Sequence, residues 1–239
     1  HFGELYDFWG GLSDLKKGLV RVLHSLSFVD DPTRILRAVR FEQRFGFSIE
    51  KRTLELLHQA RDLLNDVSGD RIRHELELII KEKAAPAILS RMAELNLFPT
   101  IFPEVEWSEE IRHELERFHF EQPGDEWRLS VKEKGELKLY GTYIILLSPL
   151  ESGSVLKVCK RLRIKNHLRK NILDSNKLLG KIDQLAGKQP SDIANFLENF
   201  SQIVIFCLFF ITKSKTQKKI LEQFATQWRW IEPSTNGDI

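Results

Sequence analysis

The sequence is poor in the residues that build disulfide frameworks and common metal sites. Its 239 residues include only two cysteines, Cys159 and Cys207, which lie far apart and form no CxxC pair. The seven histidines include no HExxH motif. These absences argue against a disulfide framework, a zinc knuckle and a zinc-peptidase site, and we expect a reducing, cytoplasmic location.

Strong charge and long apolar runs are also missing. The formal net charge is only +2, which is compatible with nucleic-acid binding but does not argue for it alone. The most apolar run, residues 203–211, is nine residues long, whereas a membrane span needs about 20. We therefore expect a buried or partner-covered helix there, with no membrane partner. The N-terminus also lacks the basic and apolar pattern of a secretory signal.

Helical periodicity dominates the chain from residue 30 onward. Asp30, Asp31 and Pro32 predict a helix start, with an acidic N-cap and proline at the first helical position, and Gly46 predicts its end. Residues 98–107 are expected to be a connector, and the polar residues 121–136 a loop or mobile region. Further helices are predicted at about 50–64, from the cap Ser68 to residue 80, and at 86–97, 137–147, 153–163, 166–180, 190–212 and 214–230.

The first 28 residues differ from the rest of the chain. They mix short β-like runs, at 4–8 and 19–24, with a Gly-Gly turn at Gly10 and Gly11. The whole pattern predicts a mostly α fold of about ten helices, with a small β element at the N-terminus.

Three ordered motifs carry the functional information. Residues 7–15 read DFWGGLSDL, residues 30–41 read DDPTRILRAVRF, and residues 68–76 read SGDRIRHEL. In sequence and spacing they resemble class II tRNA nucleotidyltransferases, the CCA-adding or A-adding enzymes, with bacterial poly(A) polymerase as close kin. The specific match covers residues 3–80. Two positions depart from the family pattern. The first acidic position is Asp30 where the family often has Glu, and the turn has Phe8-Trp9 where a Pro-Phe or Tyr-Phe pair is frequent. Neither departure removes a proposed contact.

The resemblance implies an elongated multi-helix array called neck, body and tail, without the catalytic head of the family. It divides the chain into the end of the head and hinge (1–29), a neck with the nucleotide-template helix (30–97), a helical body (98–165) and a helical tail (166–239). Because the chain starts at His1, has Met92 as its one methionine, and ends in residues 228–239 that resemble the start of a further segment, we expect it to be part of a longer protein.

The same resemblance assigns roles to single residues. Asp31 and Arg34 would recognise the Watson–Crick edge of the incoming base, because a carboxylate accepts hydrogen bonds and a guanidinium donates them. Arg37 would reach the triphosphate or steady this pair. The remaining positions would be structural: a hinge formed by Asp7, Gly10, Gly11 and Asp14, and a brace for the template helix formed by Arg71 and Glu75.

Each motif residue also has a simpler interpretation. Asp30 or Asp31 could only cap the helix, with one aspartate capping while the other faces the base. Arg40 and Arg44 are interpreted as the solvated side of the template helix. Two basic clusters could hold RNA through its phosphates or could be solvated helix faces. Their candidate RNA-binding residues are Lys157, Lys160, Arg161, Arg163, Lys165, Arg169, Lys213 and Lys215.

The expected activity is addition of C and/or A to the tRNA 3′ end, with CTP and ATP as substrates and Mg²⁺ bound by the absent head. The chain has no Asp-x-Asp pair of the kind that holds catalytic Mg²⁺ in this family, so we expect no catalytic residue or metal ligand in it and no activity by itself. The alternatives are a poly(A) polymerase and a non-catalytic RNA-binding or interaction module. The sequence leaves open the added product (A, CC, CCA or poly(A)) and the oligomeric state.

Overall fold

The computed structural model describes residue 3 and residues 6–231. The predicted β-like run at 4–8 falls partly outside these residues, and the C-terminal resemblance falls outside them from residue 232 onward. Within the described residues the chain is 70% helical, with 14 α-helices and a two-stranded sheet. The prediction of a mostly α fold with a small β element near the N-terminus is confirmed.

The chain forms two compact units. The first comprises His1–Ser108 together with Lys160–Arg163. Its strands β1 (Leu19–Val20) and β2 (Ser48–Ile49) pair in parallel. Its helices are α1 (Gly11–Lys17), α2 (Ser27–Asp30), α3 (Arg34–Phe45), α4 (Lys51–Ala60), α5 (Gly69–Lys81), α6 (Ala85–Glu94) and α7 (Phe98–Ile101), with a 3-10 turn at Arg61–Asp66.

Helix α3 begins and ends close to the predicted positions. Ile35, Leu36 and Val39 are fully buried, because their spacing places them on one side of the helix. The helix stops at Gly46, whose φ of 64° is left-handed and costs glycine nothing. The predicted helix is therefore present and is anchored by its apolar side, while its role as a template stays a prediction.

Arg40 corrects the interpretation of α3 as having a solvated arginine side. Its residue exposure is 9%, and its guanidinium contacts Glu75 at 3.4 Å and Glu82 at 3.5 Å. Because α3 packs against α5 and α6, its polar side chains there lose their contact with water. Arg44 remains 47% exposed and also pairs with Glu82, at 3.0 Å.

The second unit comprises Glu109–Cys159 and Ile164–Ile239. Its described elements include short 3-10 turns at Asp125–Trp127, Ile182–Leu185 and Trp228–Trp230. Helix α8, which follows the predicted connector, was not predicted. The helices are α8 (Glu109–Phe120), α9 (Val131–Leu147), α10 (Ser152–Arg161, whose last two residues belong to the first unit), α11 (Asn166–Leu179), α12 (Pro190–Leu197), α13 (Gln202–Ile211) and α14 (Lys215–Thr226).

The expectation of a loop across 121–136 is wrong for its last six residues. Helix α9 starts at Val131, and Trp127 is buried at 4% exposure. Ser130 and Glu133 form a capping box, in which each side chain bonds the backbone N–H of the other. The signal was present in the sequence as Ser-x-x-Glu and was overlooked among the polar residues.

Ser130→Ala is expected to lower the free energy of unfolding by about 1 kcal/mol, because the backbone N–H of Glu133 loses its acceptor. Urea unfolding followed by helical circular dichroism measures this. The control is Ser191→Ala, an exposed serine in the first turn of α12, which should cost less than about 0.5 kcal/mol. Equal costs for the two variants would show that the capping box contributes nothing.

The predicted single helix at 190–212 is two helices. Ser201 breaks it, because its side chain accepts from the N–H of Val204 and starts α13. Most of the apolar residues of α13 are buried within the second unit, as expected, while Phe209 and Ile211 are partly exposed. No single described helix is long and apolar enough to span a membrane, while α12 and α13 taken together meet that length and composition but bend by 113°.

Candidate nucleotide-selection site

Asp31 lies in the turn between α2 and α3. Its backbone is extended, with φ −148° and ψ 95°. Its Oδ1 accepts hydrogen bonds from the N–H of Thr33, at 3.1 Å, and from the Thr33 hydroxyl, at 2.6 Å. The N-cap of α3 is Thr33, without a side-chain cap bond, so neither aspartate is the N-cap that was predicted. Asp31 instead bonds Thr33 in the turn before the helix, while Asp30 is exposed and lies 3.8 Å from His24.

Arg71 on α5 contacts the same oxygen. Its Nη2 donates to Asp31 Oδ1 at 2.7 Å, although the two residues are 40 positions apart in the chain. Partial burial raises the pKa of Asp31, but the hydrogen bonds from Thr33 and the charge of Arg71 outweigh it, so the pKa lies below its usual value. The carboxylate is therefore ionised and held in place from two sides.

Arg34 and Arg37 lie one turn apart on the exposed side of α3. Arg34 is exposed, and its Nη1 donates to the carbonyl of Ser27 at 3.3 Å. Arg37 lines a cleft of about 340 Å³, whereas Arg34 is outside its described lining. The residues that line this cleft are Asp31, Thr33, Arg37, Asp70, Arg71, His74 and Glu75.

The two predicted brace residues, Arg71 and Glu75, contact the turn before α3 and α3 itself. Arg71 reaches Asp31 before α3, and Glu75, one turn further along α5, pairs with Arg40 in the middle of α3. Because Glu75 and Arg40 are each only 9% exposed, this second pair lies between the helices. The brace remains a prediction, and these contacts support it.

The four predicted hinge residues form a defined helix start. Both carboxylate oxygens of Asp7 accept backbone N–H groups, from Gly11 at 2.7 Å and from Leu12 at 2.8 Å, and these bonds lower the pKa of Asp7. Gly10 is left-handed with φ 74°, and Asp14 pairs with Arg21 at 2.8 Å. A role as hinge is still a prediction for this segment.

The structure divides the candidate RNA-binding residues by what they contact. Arg161 donates to the carbonyls of Val67, at 2.9 Å, and Leu64, at 2.8 Å, within the first unit. A Cβ built on Gly69 would overlap the backbone oxygen of Arg161, so only glycine fits there. The seven other candidates are exposed, and among them Arg163 pairs with Asp70, Arg169 with Asn166 and Lys213 with Glu110. The remaining exposed candidates are Lys157, Lys160, Lys165 and Lys215.

Two residues that matter for this region were missed in the sequence. Glu42 is a buried carboxylate on α3 that pairs with Arg91 at 2.9 Å, and nothing in its local sequence distinguishes it. Thr33 is buried at 4% exposure beneath Asp31. For Thr33 a signal existed, because an aspartate commonly bonds the backbone two residues later in a turn.

None of the described residues fit the Mg²⁺ that the resemblance implies. Among the residues that the structure describes, no group of three or more His, Cys, Asp or Glu side chains could hold a metal ion. We therefore derive no chemical step through a metal from this chain. What the described residues offer is a fixed acceptor, exposed guanidinium donors and a cleft beside them.

Comparisons with known proteins find related sequences and structures. Residues 46–108 match the family model described as "Probable RNA and SrmB- binding site of polymerase A". The A-adding tRNA nucleotidyltransferase of Geobacter sulfurreducens is 30% identical over 99% of this chain, which covers 28% of that relative.

Solved structures match over most of the chain as well. A CCA-adding enzyme solved with ATP has a TM-score of 0.72 and 32% identity, over 91% of this chain and 52% of the other. The Thermotoga maritima CCA-adding enzyme complexed with tRNA has a TM-score of 0.69 and 31% identity, over 91% of this chain and 53% of the other. The chain thus spans from about a quarter to half of these proteins, and it belongs to the family of the CCA-adding and A-adding tRNA nucleotidyltransferases.

Proposed function

We propose that this chain selects the nucleotide and holds the RNA in an enzyme that adds C and/or A to the tRNA 3′ end. The observation that carries the proposal is the Asp31 carboxylate, which Arg71 of α5 fixes in front of α3, with the exposed Arg34 as the first residue of that helix. The relatives named for A addition and CCA addition support the reaction class. CTP and ATP are the proposed substrates, and the tRNA 3′ end is the proposed acceptor.

The chemistry of the bases explains how such a pair would select. Cytosine and adenine each present an amino donor beside a ring-nitrogen acceptor, which matches a carboxylate acceptor beside a guanidinium donor. Uracil presents a carbonyl where cytosine has its amino group, so it would face the carboxylate with a second acceptor. An unpaired polar group of this kind is costly in a site built for hydrogen bonding, which produces strong discrimination.

The 239-residue chain alone is proposed to select and hold without transferring a nucleotide. The longer relatives and the lack of an Asp-x-Asp pair in this sequence support this division. The proposed phosphate contacts are the candidates whose side chains are accessible to RNA, namely Lys157, Lys160, Arg163, Lys165, Arg169, Lys213 and Lys215.

Asp31→Ala and Arg34→Ala, made in the full-length protein, are each expected to reduce the preference for CTP or ATP over UTP at least tenfold. The loss of a charge-assisted hydrogen bond to the base accounts for this magnitude. Single-nucleotide incorporation into tRNA gives the ratio of kcat/KM values. The controls are Asp30→Ala, an exposed neighbouring carboxylate, and Arg52→Ala, an exposed arginine on α4. Normal nucleotide choice in both test variants would refute the assignment.

A poly(A) polymerase is the second candidate function, and one observation favours it. The family model that matches residues 46–108 names polymerase A in its description. The two functions differ in product. Full-length protein should therefore be offered three tRNAs, which lack the terminal CCA, the terminal CA or only the terminal A, with each nucleotide supplied separately. Addition that stops after the terminal A supports the tRNA enzyme, and continued addition of A supports the polymerase.

A further inference from the structure

The Asp31 carboxylate is hydrogen-bonded through only one of its two oxygens. Thr33 N, Thr33 Oγ1 and Arg71 Nη2 all donate to Oδ1, at 3.1, 2.6 and 2.7 Å. No other described residue donates to this carboxylate. Since a carboxylate has about four lone-pair positions on its two oxygens, three donors saturate Oδ1 and leave the acceptor capacity on Oδ2.

The donors to Oδ1 differ in how easily water or a ligand can replace them. The side chain of Arg71 is 55% exposed and lines the cleft, so water or a ligand can compete with Asp31 for it. Thr33 is 4% exposed and lies two residues from Asp31, so its bonds are short-range and shielded from solvent. Thr33 therefore holds the carboxylate whether or not Arg71 stays in place.

We propose that Thr33 is a positioning residue for nucleotide selection, which fixes the Asp31 carboxylate so that its Oδ2 is the acceptor offered to the amino group of the base. This inference rests on the proposed function of Asp31. Without the Thr33 hydroxyl, the carboxylate can rotate about its terminal torsion, which is broad and roughly two-fold. Rotation lets Asp31 adapt to wrong bases through water or through a different oxygen, so selectivity falls more than turnover with the correct nucleotide.

The test is Thr33→Val in the full-length protein, because valine keeps the branched shape and the backbone N–H but removes the hydroxyl. The preference for CTP or ATP over UTP, as a ratio of kcat/KM values, is expected to fall about tenfold, the loss of one hydrogen bond to a charged group. Thr33→Ser restores the hydroxyl and should restore the preference. Thr33→Ala replaces Thr33→Val, with the same expectation, if the valine variant does not fold.

The chain offers a closely matched control. Thr53 is 1% exposed, and it bonds the carboxylate of Glu50 through both its N–H, at 2.8 Å, and its hydroxyl, at 3.0 Å. Thr53→Val removes the same kind of bond from α4 together with the acceptor of the Val22 N–H, and should leave nucleotide preference unchanged. A general loss of stability would move both valine variants alike, whereas a positioning role moves the preference only at Thr33.

The outcomes separate the inference from the proposed function. If Asp31→Ala abolishes the preference while Thr33→Val keeps it intact, the positioning role of Thr33 is overturned and the role of Asp31 stands. If Asp31→Ala also leaves the preference intact, or the unmodified protein has none, both fail. A loss in Thr33→Val that Thr33→Ser does not rescue also overturns the inference, because the hydroxyl would then not be the cause.

Discussion

Glu42→Ala is expected to lower the free energy of unfolding by about 3 kcal/mol, because removing one member of a buried ion pair leaves its hydrogen-bond partners unsatisfied. Glu42 is 5% exposed on α3, and its Oε2 lies 2.9 Å from Nε of Arg91 on α6. Its Oε1 accepts the N–H of Ile49 at 3.1 Å. The alanine leaves this buried N–H without an acceptor and Arg91 without its better-shielded partner. Denaturant unfolding of the 239-residue chain provides the measurement.

A second carboxylate on the same arginine supplies the control for Glu42. Glu94 also lies 2.9 Å from Arg91, but its side chain is 63% exposed, and exposed ion pairs contribute about 0–1 kcal/mol. Hydrogen bonding to Glu42 is the main reason that the pKa of Arg91 is raised. We expect Glu94→Ala to cost well under half as much as Glu42→Ala. Similar costs for the two would show that burial of Glu42 adds nothing.

Acid is expected to destabilise the second unit through His119. This histidine is 8% exposed, and its Nε2 lies 2.9 Å from Thr142 Oγ1. Because the Thr142 hydroxyl donates to the carbonyl of Lys138, its oxygen accepts from His119, which places the proton on Nε2. Nδ1 is buried and finds no hydrogen-bond partner among the described residues. Protonation at Nδ1 would therefore bury a charge that no described group satisfies.

The pKa of His119 sets the pH window of this effect. Burial, followed by the charge of Lys138, lowers the pKa from 6.5 to about 4. As the pH falls below about 6.5 the unfolded chain gains a proton that the folded chain does not, so stability is lost down to about pH 4. The loss approaches about 3 kcal/mol across the window, at about 1.4 kcal/mol per pH unit.

Thermal unfolding at pH 7 and at pH 4.5 measures the contribution of His119. His119→Gln removes the titrating group, so the difference in Tm between the two pH values should shrink relative to the unmodified chain. His113→Gln is the control, because the His113 side chain is 67% exposed and removing it should not alter the difference. An unchanged difference in His119→Gln would mean that other groups cause the acid loss.

The sequence predicted features that depend on neighbouring residues. Pro32, Gly46 and the apolar spacing between them located α3, because caps and helix periodicity are local properties. The same kind of signal at Ser130 and Glu133 was available and was missed among polar residues that resemble a loop. Ser201 likewise starts a new helix where the apolar composition had predicted one continuous helix.

Contacts between positions that are distant in the chain could not be predicted from the sequence. Arg40 and Glu42 are buried because they pair with residues on α5 and α6, which are 35 and 49 positions away in the chain. The spacing of charged residues along α3 could not predict this burial. The roles of Asp31, Arg34 and Arg71 were accessible only through family resemblance, and they remain proposals. Thr33 lies between these cases, since its bond to Asp31 is local but its burial depends on the packed fold.

The closure of the first unit by Lys160–Arg163 has a consequence for the order of events during synthesis. The carbonyls of Leu64 and Val67 accept side-chain hydrogen bonds from Arg161, and the backbone of Arg161 occupies the space that Gly69 leaves open. The ribosome releases residues 1–108 long before it releases this segment. The first unit therefore lacks Lys160–Arg163 while α8, α9 and most of α10 are translated. Expression of residues 1–108 alone would give the same incomplete unit.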